Sequence, residues 1–324
     1  FITVKDKIFV MGHQLTDVDS FGAAIGIYRA ANALEKRAYI VINEVSASLK
    51  PLYTAYENNP DYPERLFLNS AEALELADES SMVVVVDTNR PGMTECEELL
   101  HVAKTIVVLD HHRQSSDNID NALLSYIEPY ASSACEMVSE VLQYIVDDIK
   151  IPNLEASSLY AGIMIDTNNF MNKTGVRTFE AAAFLRRSGA DITLVRKMFR
   201  DDMESYRAKA QIISSAKVYH NKYAIARGEN LTIESPTIIG AQAANELLDI
   251  NEVKASFVLT TYNGRIYVSA RSIDEVNVQI IMERLGGGGH MNASGAQFDH
   301  TDMDEAVADL KQVIDDVIEG GEIE

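Results

Sequence analysis

Thr105-Ile106-Val107-Val108-Leu109-Asp110-His111-His112 governs how the rest of the chain is read. Its first five residues are β-branched or apolar, the pattern of a strand buried on both faces of a parallel sheet. The acid and two imidazoles that follow seldom serve packing. Working outward, Met82–Val86 is a second such run, and it ends on Asp87. Lys7–Met11 and residues 38–42 read as further strands. Residues 20–34, 71–77 and 97–103 have helical character, and residues 154–165 predict a helix packed close to the sheet. Strands alternating with helices predict an α/β fold whose parallel sheet is covered on both sides.

Residues 179–218 are helical in pattern, and 203–217 reads as a connecting helix. The texture then changes. Residues 223–227, 254–261 and 265–269 read as strands, with Asn263-Gly264 as a hairpin turn. Residues 238–248, 277–285 and 303–318 read as helices. The expected organisation is a catalytic domain over 1–200, a helical linker over 201–218 and a smaller α/β domain over 219–324.

Composition narrows the function. With 324 residues and 47% hydrophobic content, the chain can bury two ordinary cores. No apolar run nears the ~20 residues of a membrane helix. No signal peptide is visible, and the first residue, Phe1, suggests a piece of a longer protein. Cys96 and Cys135 make no disulfide framework and read as small buried residues in a reduced cytoplasm. A net charge of −21 argues against duplex nucleic acid, whose binding needs Lys and Arg on phosphates. A small anion remains admissible if something local and positive draws it in, and bound metal ions would do so.

Four short motifs follow an apolar strand or close an element: His13-x-x-x-Asp17-x-Asp19, Asp87-Thr88-Asn89-Arg90-Pro91, Asp110-His111-His112 and Asp166-Thr167. Sites in open parallel sheets form beyond the carboxyl ends of the strands, so these distant groups can meet. The convergent set is His13, Asp17, Asp19, Asp87, His111 and Asp166. Oxygen and imidazole donors suit manganese-like divalent ions of octahedral habit. Four carboxylates balance two such ions; without metal they repel and their pKa values rise. Asp87 is the candidate bridge. Each motif alone has a plainer explanation, a turn or an N-cap for a lone Asp and an ordinary loop residue for His13. All four together, in a chain with seven histidines, are hard to obtain from packing needs.

A fifth signal is Gly286-Gly287-Gly288-Gly289-His290. It reads as a loop whose backbone can approach a ligand and offer N–H groups to an anion. The plainer alternative is a flexible loop or a helix cap. Ser269-Ala270-Arg271-Ser272 places a guanidinium where it can pair with a phosphate, or with Asp274 or Glu275. His101, His220 and His300 have no acidic motif around them and are read as having no role.

Together these motifs resemble the DHH phosphoesterase superfamily with its DHH-associated C-terminal domain. Within it the chain is most similar to the catalytic module of GdpP-type cyclic-di-AMP phosphodiesterases. Glu128-Pro129-Tyr130-Ala131-Ser132-Ser133 adds to the narrower likeness. The resemblance implies two manganese ions on the six residues above, with His111 a ligand and His112 beside the substrate phosphate. Arg271, Ser272, the glycines and His290 would grip a cyclic dinucleotide. A hydroxide activated by both metals would open cyclic di-AMP to linear 5′-pApA, with Asp87, His111 and His112 as the catalytic residues. The leaving 3′-oxygen would take its proton from His112 or from metal-bound water. The family's longer members imply a cytoplasmic module of a membrane-anchored parent, and a homodimer is admissible. The rivals are an oligoribonuclease or nucleoside-bisphosphate phosphatase, an inorganic pyrophosphatase, and a non-catalytic cyclic-dinucleotide sensor.

Overall fold

In the computed structural model, which describes residues 2–114, 116–233, 235–273, 276–299 and 302–323, the chain divides into two units, Phe1–Arg200 and Asp201–Glu324. The first contains strands β1 (Lys7–Met11), β2 (Arg37–Val41), β3 (Phe67–Leu68), β4 (Met82–Val86), β5 (Thr105–Asp110) and β6 (Leu124–Ile127). Its helices are α1 (Val18–Ala33), α2 (Lys50–Glu57), α3 (Ser70–Leu76), α4 (Leu99–Val102), α5 (Ala134–Ile145), α6 (Asn153–Asp166), α7 (Val176–Arg187) and α8 (Ile192–Met198).

The strands are parallel, in the order β3-β2-β1-β4-β5-β6. Their apolar runs divide by alternation, as pleating requires. Ile8, Val10, Val84, Val86, Val107 and Leu109 enter one core with α1, α5 and α6. Phe9, Met11, Val83, Val85, Ile106 and Val108 enter another with α3 and α4. A fully apolar strand is therefore what a sheet covered on both faces needs. The strand order reverses between β1 and β4, and the loops after these two strands open on either side of that switch point.

The second unit contains α9 (Met203–Ser214), β7 (Lys217–Tyr219), β8 (Tyr223–Gly228), α10 (Pro236–Leu247), β9 (Ala255–Tyr262), β10 (Arg265–Ser272), α11 (Val278–Arg284), β11 (Gly288–His290), β12 (Ala293–Phe298) and α12 (Met303–Glu319). Its sheet runs β11-β12-β10-β9-β8-β7, antiparallel except for β8 with β9. The helix expected within 201–218 is α9, and Ala208 and Ile212 bury its inner side in this unit's smaller core. Asn263 and Gly264, with φ of 48° and 73°, make the expected turn between β9 and β10. Among the described residues, no helix is long and apolar enough to cross a membrane.

One expectation is corrected. The glycine stretch is not a loop throughout, because Gly288–His290 is an edge strand paired with β12. The reason is close approach. A Cβ on Gly287 would lie 2.0 Å from the carbonyl oxygen of Gly295, and one on Gly289 would lie 2.6 Å from that of Ala293. Gly286, at φ 78°, ends α11 in the left-handed conformation a helix cap uses. A Cβ would meet open space at both Gly286 and Gly288, but only at Gly288 is the backbone outside the left-handed region as well.

Candidate metal centre

After β1 the chain is pinned by backbone pairing with residues 93–95: Gln14 N–H donates to Met93 O at 2.8 Å, and Glu95 N–H to Gly12 O at 3.0 Å. This sets His13 beside Asp17. Asp17 is also the N-cap of α1, its Oδ1 accepting from the N–H groups of Asp19 and Ser20 at 3.0 and 2.9 Å. The capping explanation and the ligand explanation are therefore both satisfied, by different oxygens, since Oδ2 lies 3.8 Å from His13 Nε2. Asp19, two residues on, is buried, and its oxygens accept from the backbone N–H groups of Ala134 and Cys135 at the start of α5.

Asp87 follows β4 at φ 60°, an uncommon conformation for a residue with a side chain. Its N–H donates to Leu109 O at 2.9 Å, which holds the turn. The carboxylate reaches both ways: Oδ2 is 3.4 Å from His13 Nε2, and Oδ1 is 3.2 Å from His111 Nε2. Asp166, the last residue of α6, brings Oδ2 within 3.7 Å of His111 Nε2. Three donor groups result among the described residues: His13 with Asp17 and Asp87, Asp19 with His111 and Asp166, and Asp87 with His111 and His112, which shares a residue with each of the other two. Asp87 stands between the first two.

The electrostatics describe a cage short of positive charge. Burial, then repulsion from Asp87 and Asp166, pushes Asp19 well above the usual carboxylate range. Burial, opposed by His111 and reinforced by Asp87, raises Asp166 to about 6. Asp87 goes the other way, to about 2, because contacts with His111 and His13 outweigh its burial. Burial disfavours a charged imidazole, yet Asp17 and Asp87 raise His13 to about 10. His111 rises to about 9 for the same kind of reason. In this state the imidazoles act as the counter-charges to the acids. The residues also fit a pair of divalent cations. The donors are carboxylate oxygens and imidazole nitrogens, and buried Asp87 Oδ1 has no hydrogen-bond partner.

Sequence reasoning missed two positioning devices. Asp110, fully buried, accepts from Asn89 Nδ2 at 2.6 Å and from His112 N–H at 3.1 Å, and its Oδ1 lies 2.8 Å from His112 Nδ1. It orients an imidazole whose side chain is 52% exposed. Asn89 stood in plain view inside Asp87-Thr88-Asn89-Arg90-Pro91. The other device is the start of α5, signalled only by the Ser132-Ser133 of the string quoted above.

Arg271, Ser272, the glycines and His290 lie in the second unit. Arg271 and His290 both pair with Ala293, so the three occupy one row across β10, β12 and β11. Burial lowers the pKa of the Arg271 guanidinium, which donates to Ala270 O at 2.9 Å. Among the described residues no carboxylate pairs with it; Asp274 and Glu275 lie outside them, as does His300. His220 pairs with Asp315 at 2.7 Å and belongs to none of the candidate metal groups found among the described residues. Cys96 and Cys135 are free and buried, as expected.

Comparison with known proteins gives a consistent picture. The model of the DHH family, N-terminal domain, matches residues 7–163, and that of the DHHA1 domain matches residues 231–319. The chain is 41% identical over 323 residues to the cyclic-di-AMP phosphodiesterase GdpP of Geobacillus thermodenitrificans, covering 99% of this chain and 49% of the relative. It is 39% identical over 317 residues to the cyclic-di-AMP phosphodiesterase PdeA of Listeria monocytogenes, covering 97% and 48%. The chain thus spans about half the length of these curated relatives. An exopolyphosphatase-related protein from Bacteroides fragilis shares the fold, with a TM-score of 0.78, 21% identity, and coverage of 98% of this chain and 94% of that one.

Proposed function

The chain carries the N-terminal domain of the DHH family followed by a DHHA1 domain, and from that premise we propose that it hydrolyses one phosphodiester bond of cyclic di-AMP to give linear 5′-pApA. The observation that carries the reading is Asp87, whose two oxygens face His13 and His111 and so join two donor groups into one centre. The relatives that bear the name of this activity supply the substrate.

His13, Asp17 and Asp87 would hold one divalent cation, and Asp19, Asp87, His111 and Asp166 the other, with manganese the ion suggested by the donor set. When bound, such a pair supplies Lewis acidity, an activated water and stabilisation of the departing oxygen. The remaining work belongs to side chains. In the hydrolysis a water oxygen bonds to phosphorus, the bond from phosphorus to the 3′-oxygen breaks, and that oxygen must gain a proton. His112 would be its donor: Asp110 Oδ1 lies against Nδ1, which leaves Nε2 as the atom from which a proton would pass. In the second unit, Arg271 is the phosphate partner, since a half-buried guanidinium with no carboxylate partner among the described residues is suited to a bidentate anion. Ser272, the open edge at Gly288 and its glycine neighbours, and His290 line the same end of the sheet.

Product chromatography with cyclic di-AMP, cyclic di-GMP and pApA, in manganese and again with a chelator, tests this. Conversion of cyclic di-AMP to pApA, abolished by the chelator, is expected. Faster loss of pApA than of cyclic di-AMP would move the assignment to an oligoribonuclease. Intact cyclic di-AMP after prolonged incubation in manganese would leave a sensor.

A further inference from the structure

Asp19 differs from the other acids of the centre in having both carboxylate oxygens held by backbone. Ala134 N–H donates to Oδ2 at 2.6 Å and Cys135 N–H to Oδ1 at 2.9 Å. These donors are the first two residues of the twelve-residue helix α5, where N–H groups lack helical partners and the helix dipole is positive. Where those N–H groups point therefore decides where the free lone pairs of Asp19 point.

The start of α5 is fixed from behind. Ser133 is its N-cap, with Oγ accepting from Glu136 N–H at 3.0 Å. The side chain of Glu136 turns back, and its Oε2 accepts from Ser132 Oγ at 2.6 Å and Ser132 N–H at 3.3 Å. The same oxygen accepts from Thr178 Oγ1, on α7, at 2.6 Å. Thr178 is itself anchored, because Gly175 N–H donates to its Oγ1 at 3.0 Å. Glu136 and Thr178 are each 1% exposed. A buried carboxylate is costly unless hydrogen-bonded, and three donors on one oxygen meet that requirement without a close cation. Arg177 Nε stands 3.8 Å from Glu136 Oε1 but bonds Glu140 at 2.7 Å.

We propose that Glu136 and Thr178 are positioning residues for the inner cation site: through the Ser132–Ser133 turn they aim the first N–H groups of α5 at Asp19, and so set the direction in which that carboxylate presents itself to a divalent ion. The inference rests on the two-cation reading above and adds a selective consequence. Loosening this chain weakens the site of Asp19, His111 and Asp166 and leaves that of His13, Asp17 and Asp87 alone, because Asp17 is held by its own helix instead.

The test is a manganese titration of the full, metal-free chain, with free Mn2+ followed by electron paramagnetic resonance. Wild type should bind two ions. Thr178→Val should weaken one site by about 10–100-fold, the usual effect of removing a partner that orients a ligand, and Thr178→Ser should restore it. His13→Ala combined with Thr178→Val should leave only the weakened site, which identifies it as the inner one. Glu136→Gln repeats the measurement if the valine variant does not fold. Two sites of wild-type affinity in a folded Thr178→Val chain, or equal weakening of both, would overturn the proposal while leaving the two-cation reading intact. A wild-type chain that binds no manganese would remove that reading and this inference with it.

Discussion

The acid-imidazole cluster of the first unit and the glycine stretch of the second are opposite cases of a motif. In the cluster, residues as distant in sequence as His13 and Asp166 end within one cage. In the stretch, four consecutive glycines serve three ends: Gly286 terminates a helix, Gly287 and Gly289 let two strands approach, and Gly288 is left open. Scattered polar side chains at strand ends had no other reason to converge. Adjacent glycines did have one, in the backbone's own geometry.

The sharpest way to break the contrast is Asp87→Asn. The substitution keeps shape and removes the charge shared by both donor groups. Cation-based stabilisation of the reaction is worth several kcal/mol, so turnover in manganese should fall by about a thousandfold or more. The melting temperature of the metal-free protein should show a folded chain. Near-normal turnover would mean that the cluster is not one centre.

Next in size is the pair Gly287→Ala and Gly288→Ala. The first drives a methyl into the backbone of β12 and should cost about 1–3 kcal/mol or more in denaturant unfolding. The second meets nothing within 4 Å and should stay within about 0.5 kcal/mol of wild type, while raising KM for cyclic di-AMP. If both variants lose the same stability, the division of labour among the glycines is wrong. If Gly288→Ala leaves KM unchanged, the open position is not used by substrate.

The same contrast governs what residue type alone reveals. The β4 and β5 runs announced a doubly covered parallel sheet because Met82–Val86 and Ile106 to Leu109 are apolar without a break. The edge strands could not be foreseen in the same way: β6 is exposed along most of its length and lacks the alternation that marks a half-buried strand. β11 contains two glycines and a histidine, which have no strand propensity to detect. All six candidate ligands were legible, since carboxylates and imidazoles carry their chemistry in the side chain. Asp110 was legible as a motif but not as the support of His112, a role that exists only once Asn89 folds against it. The backbone N–H groups that hold Asp19 leave no trace in their own residue types, and only the Ser132-Ser133 turn before them signals a helix start.

A last expected effect concerns pH, and it separates the two regions by kind. In the metal-free chain His13 and His111 are held above their ordinary value of 6.5, so their protonation favours the folded state. That contribution is complete below about pH 6.5 and is lost as pH rises through about 9 for His111 and about 10 for His13. Asp166, raised from 3.8 to about 6, acts in the same direction at lower pH. Asp87 opposes them only in acid, because its stabilisation is present above 3.8 and disappears toward about 2. Between pH 6.5 and 10 the metal-free protein should therefore lose stability as pH rises. Saturating manganese should reverse the slope, since ligation needs neutral imidazoles and releases protons. Gly287→Ala removes no titrating group, so its stability deficit should be the same at pH 6.5 and pH 9. Thermal melts of wild type and this variant at both values, with and without manganese, would show whether the pH dependence resides in the cluster. A flat wild-type profile without metal would mean that its imidazoles do not carry the counter-charge assigned to them.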